Sequence, residues 1–271
     1  MRLYRINYDG SPRWGQTVGD ELLGLYDSSR RLADILADPS RPDDGEVALS
    51  EAQLLAPVEH VGKIVCVGVN YLDHCRETDT TPPAEPLLFA KFPSIVSGSG
   101  AVVSWSQALT AQVDFEAELV VSIGTQARDL PPKAALHHVA GYMCGNDLSA
   151  RDLQLGDGQW IRGKNLDGFC ALGPCLVTED EVPDPQSLAI ECRVNNKPMQ
   201  SSNTSEMIFD VAEIISYCSS HFTLEPGDLI MTGTPHGVAL GRTPSPWLAD
   251  GDVVVVTIEG LGDLTTICQS F

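Results

Sequence analysis

The sequence is poor in several features that would assign it elsewhere. Its eight cysteines form no CxxC pair and no zinc-like spacing, and most sit inside apolar runs such as "KIVCVGV", so they read as reduced core thiols rather than a disulfide frame or a zinc site. Basic residues are scarce. Seventeen Lys and Arg against thirty-seven Asp and Glu leave a formal charge of −20, which repels phosphate backbones and argues against nucleic acid as the main partner. No apolar stretch reaches the roughly 20 residues that span a bilayer. Met1 leads into "RLYRINYDG" without a signal-peptide apolar region, so the expectation is a protein off the membrane, in the cytoplasm or another reducing compartment. Fixed-period repeats and low-complexity tracts are absent too.

Helical periodicity is scarce by comparison with strand-like runs. These recur as "LFAKF", "AVVSW", "AELVVSIG", "GYMCGND", "GPCLVT", "AIECRVN", "DLIMTGT" and "DVVVVTIEGLG", predicting a mainly β fold with some α. Two further helices are expected, "NYLDHCRE" with Asn70 as N-cap and "SEMIFDVAEIISYCSS" with Met207, Val211, Ile214 and Ile215 on one face. Residues 1–58, with short strands, the periodic segment "RRLADILADP" and a charged Pro-rich loop, read as a small N-terminal subdomain; residues 59–271 form the main body. "TDTTPPAEP", residues 78–86, is the best mobile loop.

The stretch "QVDFEAELVVSIG" poses the chemical question. Val113, Phe115, Ala117, Leu119 and Val121 form one apolar face, leaving Asp114, Glu116 and Glu118 on the other, with successive carboxylates roughly 6.6 Å apart. Like charges facing one way on an otherwise apolar strand call for a cation. Glu116 and Glu118 are candidate metal ligands, with Asp147 of "GYMCGNDLSARDLQ" as a third oxygen donor. An all-carboxylate set favours Mg²⁺, with Mn²⁺ or Ca²⁺ as alternatives. Read alone, the pair is equally the solvent face of an edge strand. His74 and Glu77, three apart, would share a helix face and make a carboxylate-oriented base, or else a solvated surface pair. His236, His137 and His138 read as loop or surface residues, and Cys144 as a core thiol.

Taken in order, "KIVCVGVNYLDHCRE", "PLLFAKFPSIVSGSGAVV", "VDFEAELVVSIG", "GYMCGNDLSARDLQ", "QWIRGKNLDGFCALGP", "NTSEMIFDVAEIISY" and "LEPGDLIMTGTPHGVA" resemble the motifs of the fumarylacetoacetate hydrolase superfamily from about residue 60 to the C-terminus. The resemblance implies a mixed β-sandwich roll, a homodimer, and a divalent metal held by Glu116, Glu118 and Asp147. It also implies a lid helix carrying His74 and Glu77, and a substrate site lined by Lys164, Gln154 and Thr234; Tyr71 and Arg162 are further substrate-binding candidates. Family members cleave, decarboxylate or isomerise small β-diketo or β-keto acids. The leading expectation is a metal-dependent hydrolase of a carbon–carbon bond in an acylpyruvate-like acid, with His74, Glu77 and Lys164 catalytic. An oxaloacetate-type decarboxylase or keto–enol isomerase is the alternative, and a noncatalytic keto-acid-binding or assembly subunit the second. One departure stands out: Val69 occupies a position where acylpyruvate-cleaving and oxaloacetate-decarboxylating relatives often carry Arg, which removes a partner for an anionic head group.

Overall fold

The computed structural model describes residues 1–19 and 21–271. Strands dominate, as the β-branched runs predict. Among the described residues the largest sheet has twelve strands, ten of them along a path that runs Glu46–Ala48, Leu22–Leu25, Ser11–Val18, Arg2–Tyr8, Cys170–Thr178, Val139–Asp147, Ala117–Ile123, Leu229–Met231, Ile64–Gly68 and Leu87–Lys91. A five-stranded sheet, from Lys197–Asn203 through Ala189–Val194, Val253–Ile258 and Gly262–Ser270 to Ala101–Trp105, packs against its centre.

Burial separates the two sheets. Val253–Ile258 alternates between half-buried and buried positions, the pattern of a strand with one face on the core. By contrast, every residue of Ala117–Ile123, Val139–Asp147 and Cys170–Thr178 is buried. A strand covered on both faces leaves no water for its charged side chains, so Glu118 and Asp147 must find partners inside the protein. This corrects the solvent-face alternative for the E-x-E strand: Ala117–Ile123 is interior, paired on one side with Val139–Asp147 and on the other with Leu229–Met231.

The strands of residues 1–58 do not stand apart. Arg2–Tyr8 pairs with Cys170–Thr178, Arg2 opposite Val177 and Leu3 opposite Leu176, so the N-terminal segment extends the central sheet. The periodic segment "RRLADILADP" forms a short helix over Leu32–Ala37. The other two helices form, with shifted starts. Leu72–Thr78 is capped by Tyr71 rather than Asn70, because the Asn70 amide is drawn into tertiary bonds, donating to the carbonyls of Phe209 (3.1 Å) and Thr232 (2.8 Å). Val211–His221 begins after Asp210, whose carboxylate accepts from the Glu213 N–H while the Glu213 carboxylate accepts from the Asp210 N–H. This reciprocal capping box leaves "TSE" before it as a single 3-10 turn.

Candidate active site

Register brings the three acidic residues together. Ala117 faces Asn146 and Glu118 faces Gly145 across the antiparallel pair, and the Asp147 N–H donates to the Glu116 carbonyl at 2.9 Å. Residues two apart on one strand share a face, and Glu116 lies opposite Asp147. One oxygen from each of Glu116, Glu118 and Asp147 therefore falls within 4.8 Å of the others.

Three buried cations surround them. Lys164 Nζ donates to Glu116 Oε2 at 2.6 Å and Asp147 Oδ2 at 2.8 Å. Arg151 donates through Nε to Asp114 Oδ2 at 2.9 Å and places Nη2 2.6 Å from Glu116 Oε1. Lys91 Nζ lies 2.5 Å from Asp147 Oδ1. Asp114, the third acid of the alternating face, also accepts N–H groups from Ala239 and Leu240, so its charge anchors a loop.

The distribution of partners is uneven, and ionisation follows it. Burial pushes the Glu116 carboxyl up, but the adjacent Arg151 and Lys164 charges prevail and hold it down at about 2. Glu118 has no ion-pair partner: burial and the nearby Asp147 and Glu116 charges push its carboxyl well above the ordinary 4.5, against the weaker opposing pull of Lys164 and one N–H from Gly233 at 2.9 Å. Four buried carboxylates share three buried cations here. The shortfall sits at Glu118, and an oxygen-only donor set with uncompensated negative charge fits a hard divalent cation. Burial acts to lower the Lys164 ammonium, yet Asp147 and Glu116 keep it above its ordinary 10.5, so Lys164 is a fixed positive charge and a donor rather than a base.

Above this floor is a cavity of about 180 Å³ lined by Glu116, Glu118, Arg151, Gln154, Lys164, Thr234 and His74, with Phe89, Trp160, Val69 and Leu240 on its apolar side. His74 Nδ1 lies 3.4 Å from Glu77 Oε2. Burial raises the Glu77 carboxyl, but His74 and the Gly237 N–H outweigh it and hold the group below its ordinary value. Both Glu77 oxygens accept from that N–H, at 2.9 and 3.0 Å. Gly237 has φ +99°, and a Cβ there would meet the Met199 carbonyl oxygen at 2.2 Å. Only glycine fits where "TGTPHG" turns its backbone to the helix.

The structure brings together Glu116, Glu118, Asp147, Lys164, Gln154, Thr234 and His74, with Glu77 behind His74. Arg162 and Tyr71 require correction as candidates for lining the cavity. In the short helix Ile161–Lys164 a two-residue step turns about 200°, so with Lys164 inward Arg162 is exposed and donates to Asp157 at 2.7 Å. Tyr71 is fully buried beneath the cavity, its hydroxyl without a partner. Sequence reasoning missed Arg151, Asp114's anchoring role and Lys91. A lysine closing the apolar strand "LFAKF" was the available signal.

A β-rich protein with a small cavity above a buried carboxylate cluster suited to a divalent cation is the class that this fold and site define. Residues 63–268 match the C-terminal domain of fumarylacetoacetate hydrolase. A mitochondrial oxaloacetate tautomerase of Bos taurus is 47% identical over 215 residues, covering 79% of this chain and 68% of that protein. Among solved structures, a fumarylacetoacetate hydrolase from Exiguobacterium antarcticum is 40% identical with a TM-score of 0.88, covering 100% of both chains. A 5-carboxymethyl-2-hydroxymuconate delta-isomerase from Mycobacterium smegmatis is 33% identical with a TM-score of 0.84, also covering 100% of both. The chain belongs to the fumarylacetoacetate hydrolase family.

Proposed function

We propose that this protein is a divalent-metal-dependent keto–enol tautomerase of small 2-oxo dicarbonyl acids of the oxaloacetate type, in place of the expected carbon–carbon hydrolase. The observation that carries the reading is the pairing of a carboxylate-oriented imidazole with a fixed ammonium, Lys164, beside the carboxylate cluster in one small cavity. Proton transfer between carbon and oxygen needs one group to move the proton and a positive surface to hold the developing enolate; hydrolysis needs, in addition, a held water and room for it. Relatives named as oxaloacetate tautomerases and isomerases favour the same choice.

Glu116, Glu118 and Asp147 would hold the metal, most simply Mg²⁺ or Mn²⁺, which when bound supplies Lewis acidity to the substrate's oxygens. Lys164 adds a fixed ammonium beside them, and Gln154 and Thr234 orient the acid by hydrogen bonds. Glu77 keeps His74 in place, so the imidazole moves the proton at the carbon between the two carbonyls. Phe89, Trp160 and Val69 exclude water from that carbon.

The helix Leu72–Thr78 and the following loop act as a lid, and the working unit is a homodimer. Eight free, buried cysteines suit a reducing compartment. The relatives named as mitochondrial draw the assignment away from the cytoplasm, and among the described residues no helix is long and apolar enough to cross a membrane.

The test is an assay of metal-loaded protein on oxaloacetate, following enol absorbance, carbon-bound deuterium uptake by NMR and pyruvate release. Rapid enol–keto interconversion with no carbon–carbon cleavage is the expected result. Stoichiometric pyruvate release at the same rate as interconversion would make it a decarboxylase, and cleavage of an acylpyruvate with no interconversion would restore the hydrolase.

A further inference from the structure

The strand Leu87–Lys91, at the end of the large sheet, closes on a lysine whose side chain is fully buried. Lys91 is not among the residues lining the cavity. Burying an ammonium costs several kcal/mol unless its surroundings are built for it, and these are. Lys91 Nζ donates to the carbonyls of Phe169 at 3.0 Å, Leu148 at 3.5 Å and Lys164, while Asp147 Oδ1 makes a close ion pair with it. An ammonium carries three N–H donors. The Lys164 and Phe169 carbonyls and Asp147 Oδ1 are its three nearest acceptors, with the Leu148 carbonyl farther away at 3.5 Å.

The partners are not scattered. Leu148 follows Asp147 in the chain. Lys164 is the residue whose own ammonium takes Asp147 Oδ2 and Glu116 Oε2. Phe169 leads into the strand in which Cys170 faces Asp147. Lys91 thus gathers onto one nitrogen the backbones that carry the Asp147 carboxylate and the Lys164 ammonium, and the two lysines take the two Asp147 oxygens separately. A guanidinium could not do this, because its donors spread in a flat fork instead of converging on one atom.

We infer that Lys91 is a positioning residue for the cation site: by pairing with Asp147 Oδ1 while Lys164 takes Oδ2, it fixes the orientation in which this aspartate faces Glu116 and Glu118. The inference rests on the reading of Glu116, Glu118 and Asp147 as metal ligands. Without Lys91 the aspartate is held at one oxygen only, and three buried carbonyls lose their donor.

The experiment measures Mn²⁺ binding by electron paramagnetic resonance titration of metal-stripped wild type, Lys91→Met and Lys91→Arg, beside thermal unfolding of each without metal. Both variants are expected to bind Mn²⁺ about 10-fold to 100-fold more weakly, the scale for loss of a group that orients a metal ligand. A lysine that only staples strands would lower the melting temperature and leave the Mn²⁺ dissociation constant within about threefold of wild type; that result overturns the inference and leaves the metal reading intact. Absence of Mn²⁺ binding by wild type overturns both. A crystal structure of Mn²⁺-loaded wild type needs no variant to fold: Lys91 Nζ still paired with an Asp147 oxygen beside the bound metal is expected, and a Lys91 parted from Asp147 in the loaded protein overturns the inference.

Discussion

The floor of the candidate site and its rim are built on opposite principles. Glu118, Asp147, Lys91, Arg151 and Lys164 are buried within the central sheet or the segments locked to it, and the positions of the acids follow from strand register. His74 and Glu77 sit on a helix of seven residues, partly exposed, and that helix reaches the loop below it through Glu77 to the Gly237 N–H and through Asp73 to Ser202. Interior strands fix charges to within an ångström because a register slip would move every side chain to the other face. A short helix on the surface opens at far lower cost. Under the proposed function, binding of charge falls to the rigid part and movement of a proton to the part that can open for substrate.

The largest effect that would break this division is at the floor. Glu118→Ala should abolish metal binding and activity while the metal-free fold keeps or gains stability, because the carboxylate removed is the one with no cation. Calorimetric metal titration and thermal unfolding check both halves. A second blow falls on the rim: His74→Ala should lower the tautomerisation rate by about 10²-fold to 10⁴-fold with metal affinity unchanged. Hydrogen exchange over residues 71–85 should slow when a dicarbonyl analogue binds, and equal exchange with and without ligand would remove the lid from the account.

The two glutamates should also separate by pH in metal-free protein. Glu118, with its folded carboxyl raised, ionises first in the unfolded chain, so its contribution to stability falls as pH rises above about 4.5. Glu118→Gln should therefore gain on wild type as pH rises above about 5, with a slope of up to about 1.4 kcal/mol per pH unit. Glu116, held at about 2, contributes stability that is present above about 4.5 and lost as pH falls toward 2, so the deficit of Glu116→Gln should shrink over that acid window. Urea midpoints across the range read both slopes. The smallest effect concerns Val69, a β-branched residue at φ +54° on the cavity's edge. Val69→Arg should lower KM for a dianionic substrate several-fold, on the order of 1 kcal/mol, and leave a monoanionic one unmoved.

The floor's acids were legible in the sequence because alternation along one strand is local and Asp147 offered a third oxygen donor at the end of a strand-like run. Of their cations only Lys164 was expected in the site, and the ion pairs themselves were not. Arg151 meets Asp114 across 37 residues of chain and Lys164 meets Glu116 across 48, and no periodicity encodes such pairs. Asn70 illustrates the same limit on a smaller scale: its residue type suits an N-cap, but the Phe209 and Thr232 carbonyls outbid the helix for its amide. Arg162 was misplaced because a four-residue helix has too little pattern to reveal its inward face.

The pairing of Arg2–Tyr8 with Cys170–Thr178 sets the order in which the chain can fold as it is made. The first strand finds its hairpin partner Ser11–Val18 at once, yet the strand that covers part of its other edge is still unsynthesised, and pairing so distant in sequence is slow to form. During elongation that edge is open to other chains. Nascent fragments that stop short of residue 170 should be the ones that need a chaperone.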